Sequence, residues 1–250
     1  MIVVNPMRVT TLGTGDAFSA AGRFHSAVVV QAGKTKALVD CGPCILQALH
    51  RARISPEDID FLLVTHLHGD HIGGVPMLLL DYQFRSRRKR PLVVIGAALC
   101  SARLEALTEA MFAEVAKSRR CFPVVYKTIL PGHPIAIPSM RIQAYAMKHT
   151  DHEPCLGYRL EHRGKFVAFA GDTTWCDSIP AMSQGADLLL TECTDFDQRT
   201  PVHLSYTQLR KHQAEIGAKR IVLTHVGDDL LKNRARVRFH IARDGECFDV

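Results

Sequence analysis

Residues 65–71 read Thr-His-Leu-His-Gly-Asp-His and follow directly on the apolar run Phe61-Leu62-Leu63-Val64. Three imidazoles and one carboxylate fall within six positions, at the end of a stretch apolar enough to be a buried strand. Water solvates such groups far better than a protein interior does. A chain that folds them inward must offset the desolvation, and a metal ion is the usual means. An extended backbone puts alternate side chains on one face, so His66 and His68 can reach one ion together. Asp70 and His71 come one step later, where the chain turns, and can reach a second. The fold must therefore make a strand end, a turn and a polar cleft coincide at this point.

The remaining pattern supplies the elements around that cleft. Periodicity predicts strands over residues 8–12, 26–31 and 36–40, the last two as a hairpin around Ala32-Gly33-Lys34. Gly13-Thr14-Gly15-Asp16-Ala17 is a glycine-rich loop, but it lacks the further glycine and the following helix of a nucleotide fingerprint. Residues 42–53 have helical spacing, with Ile45, Leu46 and Leu49 on one face. A helix over 72–84, a strand over 92–95 and a long helix over 98–117 follow. The second half repeats the alternation, with strands over 141–147, 156–161 and 166–170, a short helix over 175–183 and a strand over 187–191. A helix over 206–216 opens on the capping box Ser205-Tyr206-Thr207-Gln208, and a strand over 220–223 follows it. The tail, 237–241 and 246–249 around Asp244-Gly245, is expected to close as a hairpin. Two halves of strands and helices predict a four-layer αββα sandwich of the α/β class. No linker rich in Pro, Gly or Ser interrupts them, so residues 1–250 are expected to form a single domain.

With this order of elements the chain resembles the metallo-β-lactamase-fold hydrolases, over nearly its whole length. That superfamily is built on two active-site metals, with a third His, a bridging Asp and a last His at the ends of later strands. His149 follows Ile142-Gln143-Ala144-Tyr145-Ala146-Met147, Asp172 sits in Gly171-Asp172-Thr173, and His225 sits in Thr224-His225-Val226-Gly227. The resemblance implies His66, His68 and His149 on one metal, Asp70, His71 and His225 on the other, and Asp172 bridging both. Lys148-His149-Thr150-Asp151-His152 offers two candidates for the third His. His149 is preferred because it directly follows the strand, with His152 as the alternative. Ligands of N and O type fit two Zn²⁺, and Mn²⁺ or Fe could occupy the same positions.

Composition excludes some classes. Of 250 residues, 47% are hydrophobic and 22% charged, which is ordinary for a globular enzyme. No apolar run approaches the length of a membrane span, so no membrane partner is expected. Met1-Ile2-Val3-Val4-Asn5-Pro6 has no basic leader, so no signal peptide is expected and a cytoplasmic location follows by default. The eight cysteines are then read as reduced thiols. Cys41-Gly42-Pro43-Cys44 has the spacing of a redox loop, but Asp40-Cys41-Gly42 fits a stretch common in the superfamily, and that reading is preferred. A net charge of +6 is compatible with an anionic substrate. In Arg85-Ser86-Arg87-Arg88-Lys89-Arg90 five of six residues are basic. With no aromatic interleaving, a solvated loop is preferred there over a phosphate-backbone contact.

Two bridged metals suit hydrolysis: they make hydroxide available near neutral pH and stabilise charge on the attacking and leaving oxygens. Asp70 and Asp172 could each help orient that hydroxide. Thr191-Glu192-Cys193-Thr194 and Val202-His203-Leu204-Ser205 are similar in spacing to ribonuclease Z and its relatives, where a His assists the leaving group and a Glu orients it. Carried over, His203 would donate a proton to the departing alkoxide and Glu192 would hold its ring. Many ribonuclease Z proteins also insert a transfer-RNA-gripping arm between the third His and the bridging Asp. Between His149 and Asp172 there is room for two strands and no arm. The expectation is a dinuclear metal-dependent phosphodiesterase acting on a small or oligonucleotide phosphodiester, with RNA possible and a homodimer common among similar proteins. The same hydroxide would serve a β-lactamase, lactonase, thioesterase or arylsulfatase. A non-catalytic binding or sensor protein is the alternative of another class.

Overall fold

The structure is a computed structural model that describes residues 7–250; the Met1–Pro6 stretch, where no leader was expected, lies outside the described residues. Two seven-stranded sheets form the centre. The first is built from β1 (Arg8–Gly13), β2 (Ala27–Ala32), β3 (Thr35–Val39), β4 (Phe61–Leu63), β5 (Leu92–Gly96) and β6 (Val124–Thr128). The second is built from β7 (Ile135–Ile137), β8 (Met140–Met147), β9 (Cys155–His162), β10 (Lys165–Phe169), β11 (Leu188–Cys193), β12 (Ile221–Val226) and β13 (His240–Ile241). The last strand, β14 (Glu246–Asp249), returns to the first sheet beside β1. In each sheet the early strands pair antiparallel and the later ones parallel, as β3 to β6 and β10 to β13.

Alternation along the strands explains the layering. Val28 and Val30 of β2 and Val39 of β3 point into the space between the sheets, where they meet Ile142, Leu160, Val167 and Leu190. Val29, Leu38 and Leu62 point the other way, onto Ile45, Leu49, Leu78 and Leu104. Those side chains belong to α1 (Ile45–Arg51), α3 (Val75–Leu80) and α4 (Cys100–Met111); the short α2 (Gly69–Ile72) carries the metal loop. The second sheet buries Ala168, Leu189 and Leu223 against helices α6 (Ser178–Ser183) and α7 (Tyr206–Lys211). Both faces of each sheet are thus apolar, and a fully buried Val or Leu contributes roughly 1.5–3 kcal/mol to folding. The expected four-layer αββα sandwich is borne out.

Several boundaries differ for physical reasons. The expected helix over 98–117 breaks at Phe112, whose backbone is not helical (φ −146°, ψ 77°), so α5 (Ala113–Lys117) is a separate piece. The expected helix over 72–84 starts on Gly74, where a Cβ would lie 2.2 Å from the Gly42 carbonyl oxygen, and ends in a π-helical turn over Asp81–Arg85. The expected closing hairpin does not form. Strand β13 pairs with β12 in one sheet and β14 with β1 in the other, so the tail straps the two sheets together. The last helix, α8 (Asp228–Lys232), leads into it. Strands β6 and β7 were not anticipated; β6 is an edge strand with a largely exposed surface and little alternation to read. No helix among the described residues is long and apolar enough to cross a membrane.

Candidate metal centre

The seven residues singled out for metal binding converge at one edge of the sandwich, carried on segments that leave β4, β8 and β10 and on the end of β12. His66, His68 and His149 can bring one ligand atom each to within 4.8 Å of one another, and so can Asp70, His71, Asp172 and His225. Of the two candidates near residue 150, the structure brings His149 to the cluster and leaves His152 exposed in the following loop. Asp172 stands between the two groups. Its Oδ2 lies 3.9 Å from both His66 Nε2 and His149 Nε2 and 3.3 Å from His225 Nε2, while its Oδ1 lies 3.3 Å from His71 Nε2.

The hydrogen bonds behind these side chains decide which atoms face inward. Asp40 accepts the His71 Nδ1–H at 2.7 Å and both the backbone N–H and the hydroxyl of Thr65. With its proton committed to Asp40, the Thr65 oxygen accepts from His66 Nδ1 at 3.1 Å. His149 Nδ1–H donates to the Val202 carbonyl at 3.0 Å. Thr194 donates its hydroxyl proton to Glu192 and takes the His225 Nδ1–H at 3.1 Å. A ring nitrogen that donates leaves the other as a lone pair when the ring is neutral. His66, His71, His149 and His225 therefore turn Nε2 inward toward the oxygens of Asp70 and Asp172; His68 meets His149 Nε2 through its Nδ1 at 3.1 Å, and His225 Nε2 lies 3.2 Å from Asp70 Oδ2. His66 Nε2, His71 Nε2 and Asp172 Oδ1 are buried without any hydrogen-bond partner. Such orphans are costly, and divalent cations resolve the conflict. The residues present fit the metal.

Protonation follows the same contest. Burial disfavours the charged form of His71, but Asp172 and Asp40 outweigh it and hold the ring well above the usual histidine range. His225 is likewise pushed down by burial and raised on balance by Asp172 and by its hydrogen bond to Asp70. Burial would raise Asp70, yet the hydrogen bond from His225 and the charge of the neighbouring His71 carry it well below the ordinary carboxylate range. His66 is lowered by burial and by the neighbouring His71. Protons and metal ions compete for the same nitrogens.

His203 and Glu192 flank this cluster. His203 Nδ1 stands 2.9 Å from Glu192 Oε1, and its ring lies 4.8 Å from that of His149 and 5.4 Å from that of His225. Glu192 is buried and also accepts the Thr173 N–H at 2.6 Å. Burial pushes the His203 ring down, but the Glu192 carboxylate outweighs it and lifts the pKa to about 9.

Sequence reasoning missed the outer ring of supports: Asp40, Thr65, Thr173 and Thr194. Asp40 had been noted only as part of Asp40-Cys41-Gly42; a carboxylate directly after an apolar strand was the available signal. It also missed how His225 is aimed. Glu192 pairs with Thr224 and Cys193 with Val226, so His225 is the extra residue of a β-bulge, at φ +50°. Bulges re-aim side chains beside active sites. The basic run is not a solvated loop throughout. Arg88 is buried and donates to the carbonyls of Arg90, Glu57 and Pro91, and Arg90 pairs with Asp60.

Two mixed sheets packed face to face, helices outside and a His/Asp cluster at their shared edge define a metallo-β-lactamase-fold protein. Within that class, the family model described as Anti-Pycsar protein Apyc1 matches residues 7–248, and the chain belongs to that family. It is 26% identical over 258 residues to Anti-Pycsar protein Apyc1 of Bacillus phage BSP38, covering 95% of this chain and 96% of the relative. It is 27% identical over 239 residues to ribonuclease Z of Mycolicibacterium gilvum (strain PYR-GCK), covering 88% and 84%. The crystal structure of the metallo-beta-lactamase fold protein YhfI from Bacillus subtilis superposes with a TM-score of 0.79 at 26% identity, covering 98% of this chain and 100% of that one.

Proposed function

We propose that the protein is a dinuclear metal-dependent phosphodiesterase, folded as one domain over residues 1–250, that hydrolyses a small or cyclic phosphodiester. One observation carries the reading: the His203–Glu192 pair, at 2.9 Å, stands against a cluster in which His66 Nε2, His71 Nε2 and Asp172 Oδ1 are buried without a hydrogen-bond partner. His66, His68 and His149 would hold one Zn²⁺, Asp70, His71 and His225 a second, with Asp172 shared. When bound, two such ions make hydroxide available near neutral pH and neutralise charge developing on the phosphoryl oxygens.

The chain's own residues supply the rest. Asp70 and Asp172 remain carboxylates and accept hydrogen bonds from the attacking water, which aims its lone pair at phosphorus. A new O–P bond forms and the opposite P–O bond breaks, giving a phosphomonoester and an alcohol (both on one molecule where the diester is cyclic); the proton the attacking water gives up to solvent balances the one that later restores His203. His203 gives a proton to the departing alkoxide, and Glu192 holds the ring so that its outer nitrogen faces the leaving oxygen. The size of the substrate follows from the interval between His149 and Asp172. Strands β9 and β10 are joined there by a tight turn, with Arg163 and Gly164 both at positive φ, and no arm is inserted to grip a folded RNA. The relative named ribonuclease Z supports phosphodiester chemistry.

The test is turnover of bis(p-nitrophenyl) phosphate after chelation and after zinc or manganese is restored. Metal-dependent release of p-nitrophenol is expected, and Asp172→Ala should abolish it while the circular dichroism spectrum persists. Unchanged turnover by that variant would overturn the reading. Bound metal without release would send the search to lactams, lactones, thioesters and sulfate esters.

A further inference from the structure

Of the eight cysteines four are buried, three are half-buried and one, Cys247, is exposed. The half-buried three differ in what they face. Cys121 lies against the carbonyls of Tyr82, Gln83 and Arg88, and Cys176 against the Thr173 hydroxyl. Cys44 faces an imidazole: its Sγ stands 3.7 Å from His25 Nδ1. The far nitrogen of that ring, Nε2, stands 3.0 Å from Ser19 Oγ. Nucleophile, base and orienting group thus stand in line, as they do where a side chain is activated for attack. All three are half-buried and within reach of solvent. Cys41, three residues earlier, is fully buried in the core and out of reach of a reagent.

The backbone is bent to hold this arrangement. Ser19 sits at φ +55°, a strained conformation for a residue with a side chain, and its hydroxyl is thereby brought to His25. When the thiol proton passes to Nδ1, both N–H groups of the imidazolium have an acceptor: the thiolate on one side and the Ser19 oxygen on the other. The thiolate is the form that attacks a disulfide. The same segment is fastened to the metal loop. The Cys41 N–H donates to the His71 carbonyl at 2.6 Å, and the Gly74 N–H to the Cys41 carbonyl at 2.8 Å. Gly42 fits so closely between its neighbours that a Cβ there would lie 2.7 Å from His25 Cβ and 2.6 Å from the Asp70 carbonyl oxygen.

We propose that Cys44 is a site of reversible S-thiolation by a low-molecular-weight disulfide, with His25 as its base and Ser19 orienting the ring. His25 takes the thiol proton and the Cys44 sulfur attacks one sulfur of the reagent. A new S–S bond forms, the reagent's own S–S bond breaks, and the departing thiolate takes the proton from His25. The added group displaces His25, which packs through Gly42 on the loop carrying Asp70 and His71, so turnover falls until a free thiol reverses the exchange. The fall in turnover rests on the phosphodiesterase reading; the thiolation does not.

The experiment incubates the metal-loaded full chain with glutathione disulfide, maps all eight cysteines by mass spectrometry and follows turnover of bis(p-nitrophenyl) phosphate. Cys44 should be labelled about 10-fold or more faster than Cys247, although Cys247 is the more exposed. Turnover should fall in step with that labelling and return with reduced glutathione, and Cys44→Ser should keep its turnover throughout. His25→Asn should slow labelling of Cys44 about 10-fold or more, Ser19→Ala should slow it less, and Cys247 should react at an unchanged rate in both. Labelling of Cys247 ahead of Cys44, or an unchanged Cys44 rate in both His25→Asn and Ser19→Ala, overturns the site. Labelling of Cys44 with no loss of turnover overturns its hold on the metal centre. Labelled Cys44 in a protein that cleaves no diester before or after labelling overturns the phosphodiesterase reading and leaves the thiol site standing.

Discussion

Asp40 accepts the Nδ1–H of His71 at 2.7 Å, and it does so from a backbone turned to φ +58° at the end of β3. Asp40 touches no substrate-facing atom, yet it decides which nitrogen of His71 faces the cleft. An imidazole that donates to a carboxylate is oriented and is a more basic ligand through its other nitrogen. Asp40→Asn keeps the shape and an acceptor but removes the charge. It should weaken metal binding about 10-fold to 100-fold, measured by competition with a chromophoric chelator. Affinity equal to that of the unchanged protein would show that His71 needs no such support.

His203 as proton donor makes a prediction about leaving groups. An alkoxide departs with a high-energy charge and needs a proton in the transition state; p-nitrophenolate does not. His203→Ala should therefore cost roughly 10²-fold to 10⁴-fold on an alkyl or ribose diester and far less on bis(p-nitrophenyl) phosphate. Plotting rate against leaving-group pKa gives the test. A parallel drop across the series would remove His203 from that role.

Glu192 makes a prediction about pH. The acid form of His203 must be present for it to donate, so the rate falls as pH rises through its pKa. Burial lowers that pKa, and the Glu192 carboxylate more than reverses the effect, to about 9. Glu192→Gln removes the charge, so the pKa falls and the alkaline limb of kcat with an alkyl diester should move to lower pH. The limb with p-nitrophenyl substrates should not move with it. A profile that shifts alike for both would trace the alkaline limb to another group.

The sandwich was legible because alternation with period two marks buried strands, and both faces of nearly every strand are covered. The His/Asp cluster was legible because four polar residues crowd into six positions just after the buried strand Phe61–Leu63. What stayed hidden depends on partners distant in sequence. Strand β13 looks like half a hairpin until Ile241 pairs with Leu223, and nothing local announces that pairing. His225 looks like a residue in a loop; it is the unpaired position of a bulge, which exists only relative to Glu192 and Cys193.

Arg88 belongs to the same hidden set and gives the last prediction. Within a run of cations it is the one that is buried, 1% exposed, with its guanidinium 4.7 Å from the Tyr82 ring and three backbone carbonyls as acceptors. Arg88→Ala leaves those carbonyls unsatisfied and opens a void, and should destabilise the protein by about 3 kcal/mol or more. Arg88→Lys should recover little of this, because an ammonium cannot spread three donors across a planar fork. Arg87, directly before it in the run, is exposed, and Arg87→Ala should change stability by less than about 0.5 kcal/mol. Urea midpoints for the three variants separate a structural cation from a surface one. Equal midpoints for Arg88→Ala and Arg87→Ala would return the whole run to the solvent and reopen it as a contact for a phosphate backbone.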